Sequence, residues 1–144
     1  MPEGASVTRG ELDGRGLTLG EVRGVALGRT QVFISPIAWE KVRRAADYVS
    51  SAAKRGQSLY GVTTGFGAHA DVVVPPEQAR RLQENLLISH ACGVGEPFPP
   101  EVVRLSMLFR INTLLHGHSG ITEATLRLLV TLLNRRILPV IPSQ

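Results

Sequence analysis

The chain has 144 residues, with 16 Lys and Arg against 12 Asp and Glu for a formal net charge of +4. Hydrophobic residues make up 43% and charged residues 19%, enough apolar surface to offset chain ordering and so to exclude a disordered chain. The single cysteine, Cys92, excludes a disulfide framework and a Cys-rich zinc site, and unpaired it suits a reducing cytoplasm.

Residues 1–35 are Gly-rich, with short apolar runs at 17–19 and 32–34. The second run reads as a short strand, and 1–16 reads as a candidate disordered tail. Ser35-Pro36 is a helix start, Ser as N-cap and Pro at the first helical position. Ile37, Val42, Ala45, Ala46 and Val49 keep helical spacing from there, and Gly56 ends the helix. Residues 58–74 read as a loop. Pro75-Pro76 opens a second helix to about Cys92, Pro99-Pro100 a third to about His116, and Thr122 caps a fourth reaching Asn134. Pro139 and Pro142 keep the end from being helical throughout.

The third predicted helix is apolar over most of its circumference, and the fourth over more than one face, so more protein must enclose them. The most apolar stretch, 102–115, is interrupted by Arg104 and Arg110 and is too short to span a membrane. The N-terminus lacks the basic start and apolar core of a secretory signal. The pI of about 10.0 raises nucleic acid as a partner. The pairs Arg43-Arg44, Arg80-Arg81 and Arg135-Arg136 lie far apart without interleaved aromatics, so they read as solvated helix faces and nucleic acid is set aside.

Three stretches could carry chemistry. In 59–67, Gly61, Gly65 and Gly67 let the backbone approach a ligand closely, but no Gly-Lys-Ser/Thr ending makes a phosphate cradle. In 82–95, His90 sits near a helix end, where it either faces a cleft or bonds a carbonyl, and Cys92 reads as inert packing. In 110–120, His116 and His118 at i and i+2 on a helix would point apart and share no metal. Arg110 and Asn112, if buried, need polar partners.

Together Tyr60-Gly-Val-Thr-Thr-Gly-Phe-Gly67, Leu82-Gln-x-Asn-Leu-x-x-Ser-His90-x-x-Gly-x-Gly95 and Arg110-x-Asn112-Thr-Leu-x-x-Gly-x-Ser119-Gly120 resemble the aromatic amino acid ammonia-lyase and aminomutase family. That family comprises histidine, phenylalanine and tyrosine ammonia-lyases and their aminomutase relatives, and the resemblance covers roughly 17–144. It implies a mainly α-helical fold of the ammonia-lyase (fumarase/aspartase-like) type with small β elements near the N-terminus. Residues 1–144 would then form the N-terminal portion of the lyase catalytic domain. Family members continue within a few residues of a segment like 137–142 into Ala-Ser-Gly, which cyclises to the methylidene-imidazolone electrophile. That tripeptide is absent here, so the resemblance implies that the rest of the same polypeptide, or a complementary chain, supplies it.

The resemblance also implies site roles. Tyr60 would be the base that removes the β-hydrogen while the electrophile holds the substrate amine. A phenol ionises near pH 10, about three units above neutrality, so its anion needs nearby dipoles or cations. Gly67 would lie against the substrate, and the loop would act as a lid. Ser89 and His90 would bind the substrate ring, His90 by hydrogen bonding a polar ring, imidazole or phenol. Ser89-His90 matches the histidine enzymes and also certain tyrosine lyases and aminomutases. Thr63 and His118 depart from the usual histidine-enzyme pattern, so histidine and tyrosine both stay open, phenylalanine behind them, and lyase against aminomutase is undecided. The resemblance further implies a cytoplasmic homotetramer with shared active sites and no metal. The competing reading is a non-catalytic helical assembly module.

Overall fold

The computed structural model describes residues 8–144. Strand β1 (Thr8–Leu12) runs parallel to β2 (Thr30–Ile34), in a register that pairs Thr8 with Thr30 and Leu12 with Ile34. Parallel neighbours need a crossover, and helix α1 (Leu19–Ala26) supplies it. A capping box starts α1: the Thr18 hydroxyl accepts from the Glu21 amide while the Glu21 carboxylate accepts from the Thr18 amide. The helix passes so close to β2 that a Cβ at Gly24 would collide with the Thr30 side chain.

Four further helices follow: α2 (Pro36–Lys54), α3 (Pro76–His90), α4 (Pro100–Leu114) and α5 (Glu123–Asn134), with a short 3-10 turn at Gly67–His69. Ser35 caps α2 by accepting from the Ala38 amide, and Thr122 caps α5 by accepting from the Thr125 amide. Val32 and Ile34 of β2 face inward and Phe33 outward, the alternation a half-buried strand requires. They join Leu12, Val42, Leu108 and Leu126 in one apolar core beneath α1, α2, α4 and α5. The Asn134 side chain fastens α5 to β2 through the Val32 backbone, donating to its carbonyl at 2.8 Å and accepting from its amide at 2.9 Å. Arg104 closes the end of α1 by donating to the Ala26 carbonyl at 2.7 Å.

Four expectations change. The supposed tail at 1–16 contains β1 over 8–12, while 1–7 lie outside the described residues. Helix α1 lies in the stretch read only as Gly-rich, because packing and its capping box offset the cost of Gly20 and Gly24. The third predicted helix ends at Leu114, so His116 and His118 are not on a helix. Their rings lie near parallel, with centroids 6.4 Å apart, rather than on opposite sides. Cys92 is exposed, not packed.

The surplus of apolar residues is visible as surface. Phe109 on α4 is 49% exposed and Leu128 on α5 58%. None of the α3 side chains described is buried. Among the described residues no helix is long and apolar enough to cross a membrane.

Candidate active site

Tyr60 sits on the connection between α2 and α3, which is held in shape by its own threonines. The Thr63 hydroxyl donates to the Gln57 carbonyl at 2.6 Å and accepts from the Leu59 amide at 2.7 Å. Thr64, 1% exposed, accepts from the Gly61 amide at 3.2 Å. An isolated bridge between Thr64 and Val73 closes the loop on itself, and Gln83 of α3 donates to the Gly61 carbonyl at 3.0 Å. These bonds fix the base of the loop and leave the Tyr60 side chain 66% exposed. Its ring meets Phe66 edge-on at 6.0 Å, and the Gly67 amide points at its hydroxyl from 3.4 Å, a long and weak contact.

Tyr60 borders two clefts. One, of about 600 Å³, is lined by Tyr60, Phe66, Leu86, Leu87, His90 and Ala91. Two residues 30 positions apart, Tyr60 and His90, therefore share one mostly apolar wall. The other cleft, of about 930 Å³, places Tyr60 with Lys41 and Arg44 of α2 and with His116 and His118. Positive charge thus stands on one side of the phenol and an apolar space on the other.

The His90 ring is held by its neighbours. Its Nδ1 lies 2.9 Å from the Leu86 carbonyl oxygen and 3.0 Å from Ser89 Oγ, and the Ser89 hydroxyl itself donates to the Leu86 carbonyl at 2.9 Å. A carbonyl oxygen can only accept, so Nδ1 is the nitrogen that donates to Leu86.

The four site residues expected from sequence are placed unequally. Tyr60 and His90 line one cleft. Gly67 reaches it only through its amide on the Tyr60 hydroxyl, and Ser89 braces His90 without lining the wall. Phe66, Leu86 and Leu87, which form most of the rest of the wall, were not anticipated; the spacing of Leu86 and Leu87 to His90, one turn back along α3, was the available signal. Lys41 and Arg44 were missed because nothing in sequence brings α2 beside the loop. Asn112 donates to the Arg15 carbonyl at 2.9 Å while its buried Oδ1 has no partner, and Arg110 is exposed. Among the described residues no group of three or more His, Cys, Asp or Glu side chains could hold a metal ion.

Residues 17–144 match the family model for aromatic amino acid lyases. The histidine ammonia-lyase of Symbiobacterium thermophilum is 46% identical over 91% of this chain, which spans 26% of that relative's length. The ergothionase of Treponema denticola superimposes with a TM-score of 0.88 at 35% identity, covering 94% of this chain and 27% of the other. The tyrosine aminomutase of Streptomyces globisporus gives 0.85 at 35% identity, covering 92% and 25%. The chain thus spans about a quarter of the length of the relatives it matches. With all three motifs inside the matched region and the fold shared along nearly its whole length, the chain belongs to the aromatic amino acid lyase family.

Proposed function

We propose that the polypeptide containing these residues eliminates ammonia from an aromatic L-amino acid with a polar ring, histidine or tyrosine, to give the α,β-unsaturated acid. The observation that carries this reading is the cleft shared by Tyr60 and His90. In it Tyr60 is the base: its phenolate takes the hydrogen from the substrate β-carbon. Lys41 and Arg44, in the cleft on the other side, and the Gly67 amide supply the positive field that favours the anion. His90, with Nδ1 protonated and braced by Ser89 and Leu86, accepts from the ring N–H or O–H of the substrate. Phe66, Leu86 and Leu87 exclude water around the ring.

A methylidene-imidazolone formed from Ala-Ser-Gly outside these 144 residues would hold the amine and make it a leaving group. The cleft wall fits such an electrophile, since no lysine or cysteine lines it to compete with the substrate amine. The exposed faces at Leu87, Ile88, Phe109 and Leu128 support burial by further polypeptide, in a cytoplasmic homotetramer. Aminomutase activity, returning the amine to the β-carbon, is the second reading, supported by the likeness to tyrosine aminomutase.

The test is an amino acid panel with the full-length polypeptide, following loss of histidine, tyrosine and phenylalanine, ultraviolet appearance of unsaturated acid, and β-amino acid by chromatography. Unsaturated acid from histidine or tyrosine is the expected result. A β-amino acid as main product selects the aminomutase, and no turnover of any of the three together with no near-ultraviolet absorbance of the electrophile leaves a non-catalytic module.

A further inference from the structure

Gln83 lines neither cleft, yet it is where α3 takes hold of the loop that carries Tyr60. Its Nε2 donates to the carbonyl of Gly61, the residue after Tyr60, at 3.0 Å. Among the described residues this is the one hydrogen bond between the loop 57–73 and α3. The loop is otherwise attached through the chain at its two ends. Where it leaves α2 the Gln57 amide donates to the Ala52 carbonyl at 3.0 Å, and where it enters α3 the Val74 amide donates to the Thr63 carbonyl at 2.8 Å. The Thr63 and Thr64 bonds make the stretch between those ends one unit. A unit held only at two ends can swing about the line that joins them. Gln83 supplies a third point, seven residues and about 10 Å along the helix from the start of α3.

The third point stands on the same stripe as the cleft wall. Gln83, Leu86, Leu87 and His90 are spaced i, i+3, i+4 and i+7, so they share one face of α3. The last three line the cleft with Tyr60, whereas Gln83 reaches the loop backbone instead. The residue it grips has little room to shift. Gly61 has φ +69°, and a Cβ there would lie 2.7 Å from Cε1 of Phe66, the ring that meets Tyr60 edge-on. One helix face therefore carries both the wall of the cleft and the grip on the loop that faces it.

We propose that Gln83 is a positioning residue: by holding the Gly61 carbonyl it sets where the Tyr60 phenol stands relative to His90. The inference rests on the functional reading above, in which Tyr60 is the base and His90 the ring acceptor. Gln83 touches neither group and acts through the backbone of the loop, so its effect falls on the alignment of the base and not on the binding of the ring.

The test uses the full-length polypeptide carrying Gln83→Met, which keeps the side-chain length and loses the donor. Glu84→Gln is the control, because Glu84 pairs with Arg80 on the same helix. Tm, kcat and KM are measured, and the substitution is repeated in the Tyr60→Phe background. The expected result for Gln83→Met is a Tm near the parent value, since Gln83 is exposed, with KM changed little. Its kcat should fall by about 10–100-fold, up to the loss that a ~1 Å misplacement brings. In the Tyr60→Phe background the same substitution should lower the residual turnover by less than about twofold, because residues that act as a unit are not additive. Glu84→Gln should match the parent throughout. Gln83→Glu sets an acceptor against the Gly61 carbonyl; it should lower kcat at least as far, and replaces Gln83→Met if that variant does not fold. Parent-like kcat in either folded variant overturns the inference alone. A fall in kcat that only follows the folded fraction overturns it too, leaving a structural role. So does an equal loss with and without the Tyr60 hydroxyl, since Gln83 would then act on something other than the base. A parent without turnover overturns the functional reading, and this inference with it.

Discussion

The body built by the two strands with α1, α2, α4 and α5 differs sharply from the region 57–98 that carries Tyr60 and His90. The body buries Leu108, Ile111, Leu115 and Leu126 almost completely. The site region buries little, and holds its shape through Thr63, Thr64 and Gln83 hydrogen bonds rather than apolar packing. The apolar core therefore lies in the body and the proposed chemistry in the thinly packed part, where local opening of a lid loop costs least. The clefts inherit the same division: Tyr60 has the cationic residues of the body on one side and the apolar wall of α3 on the other.

The largest effect that would sharpen this contrast is at Tyr60. In the full-length polypeptide Tyr60→Phe should lower kcat by about 10²–10⁴-fold, the contribution of a general base, with Tm unchanged because the side chain is 66% exposed. A fall in Tm with turnover retained would break the comparison. Leu108→Ala should do the opposite, costing about 2–5 kcal/mol in denaturant unfolding through its core cavity, while kcat per folded molecule stays near the parent value. Next in size, His90→Leu should reduce kcat/KM for a polar-ring substrate by about 10–100-fold, the loss of one hydrogen-bond acceptor to the substrate ring, and narrow the preference over phenylalanine. An unchanged ratio between the substrates would remove His90 from ring recognition.

The smallest effect concerns pH and belongs to the body. Hydrogen bonds from Arg127, and then from Arg43, hold the Glu123 carboxyl below its ordinary range. A folded-state value below the unfolded one means the stabilisation is present above the unfolded carboxylate range and is lost as pH falls through the folded value. The Tm difference between the parent and Glu123→Gln should therefore be full above about pH 5 and close as the solution is acidified. A difference that widens toward acid pH would reverse the assignment.

Much of the body was legible because its signals are local. Ser35 and Thr122 cap their helices within one turn, Pro100 marks the first turn of α4, and the strand read at 32–34 lies inside β2. Strand β1 was missed because Gly10 and Glu11 weaken its pattern and its stability comes from pairing with β2 across α1. Thr18-x-x-Glu21 was a readable capping box that the surrounding glycines obscured. At the candidate site, the motif order singled out Tyr60 and His90, whereas the proximity of Phe66, Lys41 and Arg44 became visible only once the loop was seen beside α2 and α3.

The sequence by itself determined where most helices begin, the family and which residues are proposed as base and ring acceptor, since capping and side-chain chemistry depend on a few neighbouring residues. Tertiary structure decided the parallel pairing of β1 with β2 and the common wall of Tyr60 and His90. Each of those depends on segments brought together by chain closure and packing, whose free energy is shared among many residues and written in no single stretch.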